Sequence, residues 1–451
     1  VKQTGNVEQH DSSAMCPEAV RQGPINHRNK WRGLARPLIL LAATSLAGAA
    51  VADEYHYRDI LIGTRASAMG GAYTAISDDP SGLYHNPAGI VHASELNLSG
   101  SVNAWHRTRV TYEDVLGDGR DWNRESGTLI PNFFGITQPV GPGVLGFSYV
   151  VTDSIQEDQD QTFLDVENRE RFTINLNDNQ SVYKLGPSYA WQVNDQLSVG
   201  VSLYFHFREQ EEINNQLIVL DAGSGPGAGD SDIEWRYVQT QNDEWGIKPV
   251  IGIMWEPDDR LALGASIRQA NVASAENYLF FTCHGSSISD SALCPEGDID
   301  YVELSDDIRR DHPVEIRLGA AWFHSPRFLL SADISYHTAH TDVVRGVDGR
   351  DVEGTWNIAL GSEYYLNNQW AVRSGVFTNR ANTSSDVVAH DHVNLYGISA
   401  SLARFTRNSS LDLGFSYSRG RGEGQVLPAG NEPQTMVAEN ITIFLSSSYT
   451  F

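Results

Sequence analysis

Segments of about ten residues whose side chains alternate in character dominate this chain beyond residue 92, and they constrain its fold more than anything else in it. In "QLSVGVSLYFHFR", Leu197, Val199, Val201, Leu203, Phe205 and Phe207 share one face, while Ser198, Gly200, Ser202, Tyr204, His206 and Arg208 share the other. Strand side chains point alternately to opposite faces, so this strand meets something apolar on one side and something wet on the other. The pattern returns in "RLALGASIR", "RFLLSADISYH", "TWNIALGSEYYL", "SLDLGFSYS" and "ENITIFLSSSYTF". It predicts about fourteen strands, near 95–110, 128–139, 143–153, 180–193, 196–209, 240–256, 259–272, 312–323, 327–339, 353–366, 369–380, 392–405, 409–420 and 438–451.

The connections alternate in length. Short turns such as "VNDQ", "WEPDDR", "HSPR" and "LNNQ" follow the even strands. Long acidic stretches near 111–127, 154–179, 210–239, 273–311, 340–352, 381–391 and 421–437 follow the odd ones. Tight turns at one end and long loops at the other mark an outer-membrane barrel with periplasmic turns and external loops, which would leave both termini periplasmic. A soluble β-sandwich explains the alternation but not this asymmetry. Trp245 and Trp255 lie ten residues apart on one face, a span of about 33 Å at ~3.3 Å per residue, which suits rings at the two membrane interfaces. Phe451, Tyr449, Leu445 and Ile443 share a face of the last strand, and a terminal aromatic of this kind suits recognition by the barrel-assembly machinery.

Residues 28–52 combine a basic start, an apolar run and a small-residue exit at Ala50-Val51-Ala52, the pattern of a secretory signal peptide. Residues 1–52 are therefore expected to be removed, the first ~27 being an upstream extension. The formal net charge of −25 argues against nucleic acid as a partner. Cys283 and Cys294 are expected to form a disulfide in an exported protein; a zinc site is the other reading, with His284 the one further soft ligand nearby. "DAGSGPGAGDSD" (221–232) is glycine-rich, but neither a strand-to-helix context nor Lys-Ser/Thr follows, so it reads as a loop tip. No linear catalytic motif is found, and neither an enzyme, a cofactor nor a metal is expected. Histidines in "HTAHTD" (337–342) and "HDH" (390–392) read as solvated loop residues.

One segment is neither a good helix nor a good strand: "GTRASAMGGAYTAISDDPSGLYHNPAGI", residues 63–90. Its small residues, the acidic pair and Asn-Pro-Ala before the first strand resemble the N-terminal region of the FadL family of outer-membrane transporters. The matching positions are Gly70, Gly71, Asp78, Asp79, Asn86, Pro87 and Ala88. The resemblance implies a monomeric fourteen-stranded all-β barrel over 93–451 in the outer membrane of a Gram-negative bacterium, surrounded by lipid and lipopolysaccharide. It further implies a hatch in the lumen over 53–92 and passive uptake of a hydrophobic small molecule, such as a long-chain fatty acid or aromatic hydrocarbon. A secretion-system accessory of the same fold and a general porin are the alternatives.

Charges on the wet faces of the strands are expected inside, since a mid-plane Arg or Lys facing lipid would cost ~2–4 kcal/mol. They include Lys248, Arg268, Arg317 and Arg373 beside Glu315, Asp333, Glu363 and Asp412. Most are expected to form a network holding the hatch, with Arg268 or Arg317 free to bind a head group. Pro187 after Gly186 cannot donate to the ladder, so a bulge or a lateral exit against strand three is expected there; Lys248-Pro249 is a second candidate.

Overall fold

A computed structural model of the chain describes residues 56–57, 60–93, 96–115, 119–166, 169–221, 232–285, 293–294, 297–342, 350–383, 391–424, 426 and 433–451. The expected signal peptide, the tip of the 221–232 loop and His390 lie outside these residues.

Fourteen antiparallel strands close on themselves. They are β1 (Asn97–Tyr112), β2 (Trp122–Val140), β3 (Gly143–Val166), β4 (Arg169–Asn194), β5 (Leu197–Leu220), β6 (Ile233–Asp258), β7 (Leu261–Arg268), β8 (Glu315–Ser325), β9 (Phe328–His337), β10 (Thr355–Asn367), β11 (Trp370–Asn379), β12 (Leu395–Phe405), β13 (Ser409–Gly424) and β14 (Gln434–Thr450). β14 pairs with β1 from Asn97↔Thr450 to Tyr112↔Met436, which leaves the barrel without a free edge. A hairpin, Asn271–His284 with Ile299–Asp306, extends the wall beyond β7, and Cys283 and Cys294 are disulfide-bonded there with Cα atoms 5.8 Å apart.

The alternation in β5 explains the shape. Ser198, Ser202, Tyr204, His206 and Arg208 are buried on the inner face, whereas Val201, Leu203, Phe205 and Phe207 lie exposed on the outer one. Beyond Phe207 the period continues while the outer face turns polar. Outward positions become Glu209 and Glu211, and the buried inward positions run through Gln210 and Glu212 to Ile218. Phe207 pairs with Trp245, and Leu197 with Trp255; both tryptophans point outward, so an apolar outer band ends at these two levels.

The continued period corrects the expected loops 154–179 and 210–239. β3 and β4 run on together to Val166↔Arg169, and β5 and β6 to Val219↔Ile233. Outside an apolar medium a strand no longer needs apolar residues on its outer face, so the strand continues where its apolar signal fades. Inside the extension, Tyr112, Trp122, Phe172, Ile174, Ile218 and Phe281 belong to one buried cluster, a core of the soluble kind at the far end of the barrel.

Candidate functional site

Residues 60–93 are almost wholly buried and touch the inner faces of strands around the barrel. They fold as two short helices, α1 (Thr64–Ala68) and α2 (Gly82–His85), and a 3-10 turn at Pro87–His92. Neither helix is long enough to persist alone, so the wall must hold them. Gly70 (φ 66°) and Gly71 (φ 84°) turn the chain after α1 in a conformation that favours glycine.

The wall contributes its own small residues. A Cβ on Gly200 would come within 2.4 Å of Pro87, on Gly252 within 2.0 Å of Asn86 Oδ1, on Gly264 within 2.2 Å of the Thr74 carbonyl and on Gly375 within 2.3 Å of the Gly70 nitrogen. With Gly319 and Gly361, these glycines line six strands, β5 to β8, β10 and β11, against which the segment presses. In the sequence, the signal of this approach is glycine on the wet face of successive strands.

Polar side chains complete the seating. Asn86 Nδ2 donates to the carbonyls of Thr74 (2.8 Å) and Ile253 (3.0 Å), and its oxygen accepts from the Ala88 N–H (3.2 Å). Asn-Pro-Ala is thus a cross-brace from segment to wall, with Pro87 opening the turn. Asp333 of β9 accepts the backbone N–H groups of Tyr73 (3.1 Å) and Thr74 (2.9 Å). Asp78 pairs with Arg65 at 2.5 Å, and Asp79 accepts from the Ser81 N–H at 2.8 Å. Arg65 also meets Glu363 at 2.8 Å; Glu363 in turn holds Arg373, which reaches Asp412. This charge chain runs from the segment across β10 and β11 to β13.

Arg268 donates to the carbonyls of Tyr84 (2.8 Å) and His85 (2.7 Å), and Arg317 pairs with Glu315 and donates to His85 Nδ1 (3.3 Å). Both are engaged in seating α2.

Above the segment lies a cavity of about 180 Å³, lined by His56, Tyr57 and Tyr84 below and by Lys184, His206, Lys248, His312, Glu315 and His337 on the sides. It shares His56 and Asp153 with a second, apolar space bounded by Val110, Ile155, Val393, Leu395, Met436 and Ala438. Lys184 donates to Thr152 Oγ1, whereas among the described residues the Lys248 ammonium makes no hydrogen bond or ion pair. His337, expected in a solvated loop, is instead buried at the end of β9 and stacked on Tyr57 with centroids 4.2 Å apart. His392 is partly buried against the Thr383 carbonyl (2.8 Å). His312 enters from the chain before β8, anchored by Gln269 Nε2 on its carbonyl (3.1 Å), and burial holds its imidazole below the ordinary histidine range.

Among the described residues, the wall is interrupted at three places around this cavity. Between β2 and β3, pairing passes from Ser126↔Glu157 to Phe133↔Val150 with no partners between, and Thr152 and Asp153 on that stretch line the cavity. The other two breaks involve the prolines. Gly186 and Pro187 pair with Ser148 and Phe147 of β3, but the ladder to β5 passes from Leu185↔Phe205 to Ser188↔Ser202 without them. The break therefore faces β5, not strand three as expected, and there the Gly186 backbone lies against the Leu203 carbonyl. Between β6 and β7, pairing jumps from Val250↔Arg268 to Ile247↔Asn271 and omits Lys248, Pro249, Gln269 and Ala270. Lys248 and Ala270 line the cavity, so this break too borders it directly.

The sequence model of the family described as "Outer membrane protein transport protein (OMPP1/FadL/TodX)" matches residues 39–287, more than half of the chain. The chain belongs to this family. FadL-family membership makes it an outer-membrane β-barrel of a Gram-negative bacterium that transports hydrophobic compounds. Among solved structures, it resembles a Pseudomonas aeruginosa FadL homologue (17% identity, TM-score 0.62, 88% of this chain and 100% of that one). It also resembles the Pseudomonas putida toluene transporter TodX (16%, 0.62, 88% and 100%) and the Ralstonia pickettii toluene transporter TbuX (14%, 0.56, 86% and 98%). At these identities the likeness is one of fold. No curated protein sequence matches the chain.

Proposed function

We propose that this FadL-family barrel takes up an amphipathic hydrophobic acid of the long-chain fatty-acid type, rather than a neutral aromatic. The observation that carries this reading is Lys248, whose ammonium makes no hydrogen bond or ion pair among the described residues, at the side of the cavity and next to a space lined in part by aliphatic side chains. A carboxylate at Lys248, with Lys184 nearby, would accept a hydrogen bond from an ammonium that makes none among the described residues, and an alkyl tail would enter the apolar space.

In this reading the short-turn end and both termini face the periplasm, and residues 53–92 form the hatch. Uptake is passive, driven by partitioning, and proceeds in a monomer without a cofactor. The interruption at Lys248-Pro249, bordered by Ala270, offers a sideways route from the cavity, while Gly186-Pro187 is a second weak line. A seated segment filling the lumen disfavours a general porin.

Binding of labelled oleate and of toluene to the purified protein tests the proposal. Oleate should bind saturably, toluene more weakly, and Lys248→Gln should weaken oleate at least tenfold, as expected for a lost charge-assisted contact worth ~1.5–3 kcal/mol. Equal oleate affinity in Lys248→Gln would refute the head-group assignment, and tighter toluene binding would favour an aromatic substrate.

A further inference from the structure

The cavity wall holds a group of side chains that hydrophobic transport does not need. His206 on β5, Glu244 on β6 and His312 before β8 converge on its outer side. His206 Nε2 and His312 Nε2 each lie 3.1 Å from the same carboxylate oxygen, Glu244 Oε1. All three atoms fall within 4.8 Å of one another. His206 and Glu244 are 3% and 6% exposed, and His206 Nδ1 is buried without a hydrogen-bond partner. The ligands are 38 and 68 residues apart, so no linear spacing announces them.

We propose that His206, Glu244 and His312 form a binding site for a divalent transition ion of the zinc type. Two imidazole nitrogens and one carboxylate oxygen are a donor set that zinc accepts, with a fourth position left open. The separations fit: metal–ligand bonds of ~2.0–2.1 Å give a tetrahedral edge of about 3.3 Å, close to both nitrogen–oxygen distances. His206 and His312 both line the cavity, so the open position faces it. The elements also suit the task. Two ligands stand on paired strands, where His206 and Glu244 are diagonal neighbours (His206↔Gly246, Arg208↔Glu244), and the third arrives on the segment that leads into β8.

Lys184, Arg208, Lys248 and Arg310 line the same cavity and oppose an added cation, while Asp153, Asp311 and Glu315 there offset them. The site is therefore expected to favour ions that bind imidazole strongly over magnesium or calcium, whose affinity rests on carboxylate charge.

The test uses tag-free protein in detergent, stripped with chelator and titrated calorimetrically with zinc chloride, with gel heat-modifiability confirming a folded barrel. Wild type should take up one equivalent, and His206→Ala, Glu244→Ala and His312→Ala should each weaken it at least tenfold. His312 lies outside the strand ladder, so its variant tests the site even if the other two fail to assemble. His324→Ala, at the exposed end of β8, should bind as wild type does. Anomalous scattering at the zinc edge should place the ion between His206 Nε2, His312 Nε2 and Glu244 Oε1. Wild type that takes up no zinc, or His312→Ala that binds it as tightly as wild type, would overturn the proposal.

Discussion

Replacing Asp333 with Ala should unseat the N-terminal segment without damaging the barrel. The Asp333 carboxylate accepts two backbone N–H groups, from Tyr73 at 3.1 Å and Thr74 at 2.9 Å, in a place where both partners are buried. Each N–H left without an acceptor costs roughly 1–3 kcal/mol, so the two together cost roughly 2–6 kcal/mol. Part of that is returned, because a buried carboxylate whose other oxygen lacks a hydrogen bond is removed as well. Taking the low end, about 2 kcal/mol raises the displaced population roughly 30-fold. The Asp333 side chain contributes nothing to the β8–β9–β10 ladders, so the folded barrel should survive on a gel. Planar-bilayer recordings should then show openings far more often than in wild type. A variant that stays as closed as wild type, with trypsin still unable to cut at Arg65, would show that these bonds do not hold the segment.

Three further outcomes follow from the same contacts. Gly252→Leu should displace Asn86, whose Oδ1 lies 2.0 Å from the position of a Cβ there, and should likewise raise conductance; a closed pore with unchanged oleate binding would contradict the cross-brace. His92 is hydrogen-bonded to Glu256 at 3.1 Å, which raises its pKa above the ordinary histidine value. A raised folded pKa stabilises the segment below the unfolded value of about 6.5, and that contribution disappears as pH climbs through the raised value. Both side chains are a third or more exposed, so the effect should be no more than ~0.5 kcal/mol after screening. Hydrogen-exchange protection factors of residues 87–93, corrected for the rise of intrinsic exchange with pH, should fall slightly from pH 6 to pH 8 in wild type and not in His92→Gln. Pro249→Val, which restores a donor at the β6–β7 interruption, should slow oleate uptake while leaving binding intact; unchanged uptake would remove this break from the route.

Much of the barrel was legible in the sequence because a wall between lipid and lumen imposes period-2 chemistry on every strand that crosses it. Arg373, Glu363 and Asp412 could be turned inward from that alternation alone. The extensions of β3 to β6 escaped notice because above Phe207 and Trp245 the outer face turns polar at Glu209 and Glu211, so an apolar outer face no longer marks the strand although its period continues. The partners of individual charges were hidden for another reason. Arg268 and Arg317 looked available for a substrate, but which of several inward cations meets the carbonyls of Tyr84 and His85 depends on how the segment lies in the lumen, and no strand pattern encodes that. Lys248 differs from them only in standing where β6 loses its partner. His206, Glu244 and His312 become neighbours through strand register and a returning loop, so their relation exists only in three dimensions.

The central claim is that the cavity above the seated segment receives the head group of a hydrophobic acid, and a high-resolution structure of the protein with oleate tests it most directly. Carboxylate density within about 3.5 Å of Lys248 Nζ, continued by an alkyl chain toward Leu395 and Met436, is the predicted result. An empty cavity at saturating oleate, or a chain bound with its carboxylate away from Lys248, would contradict it.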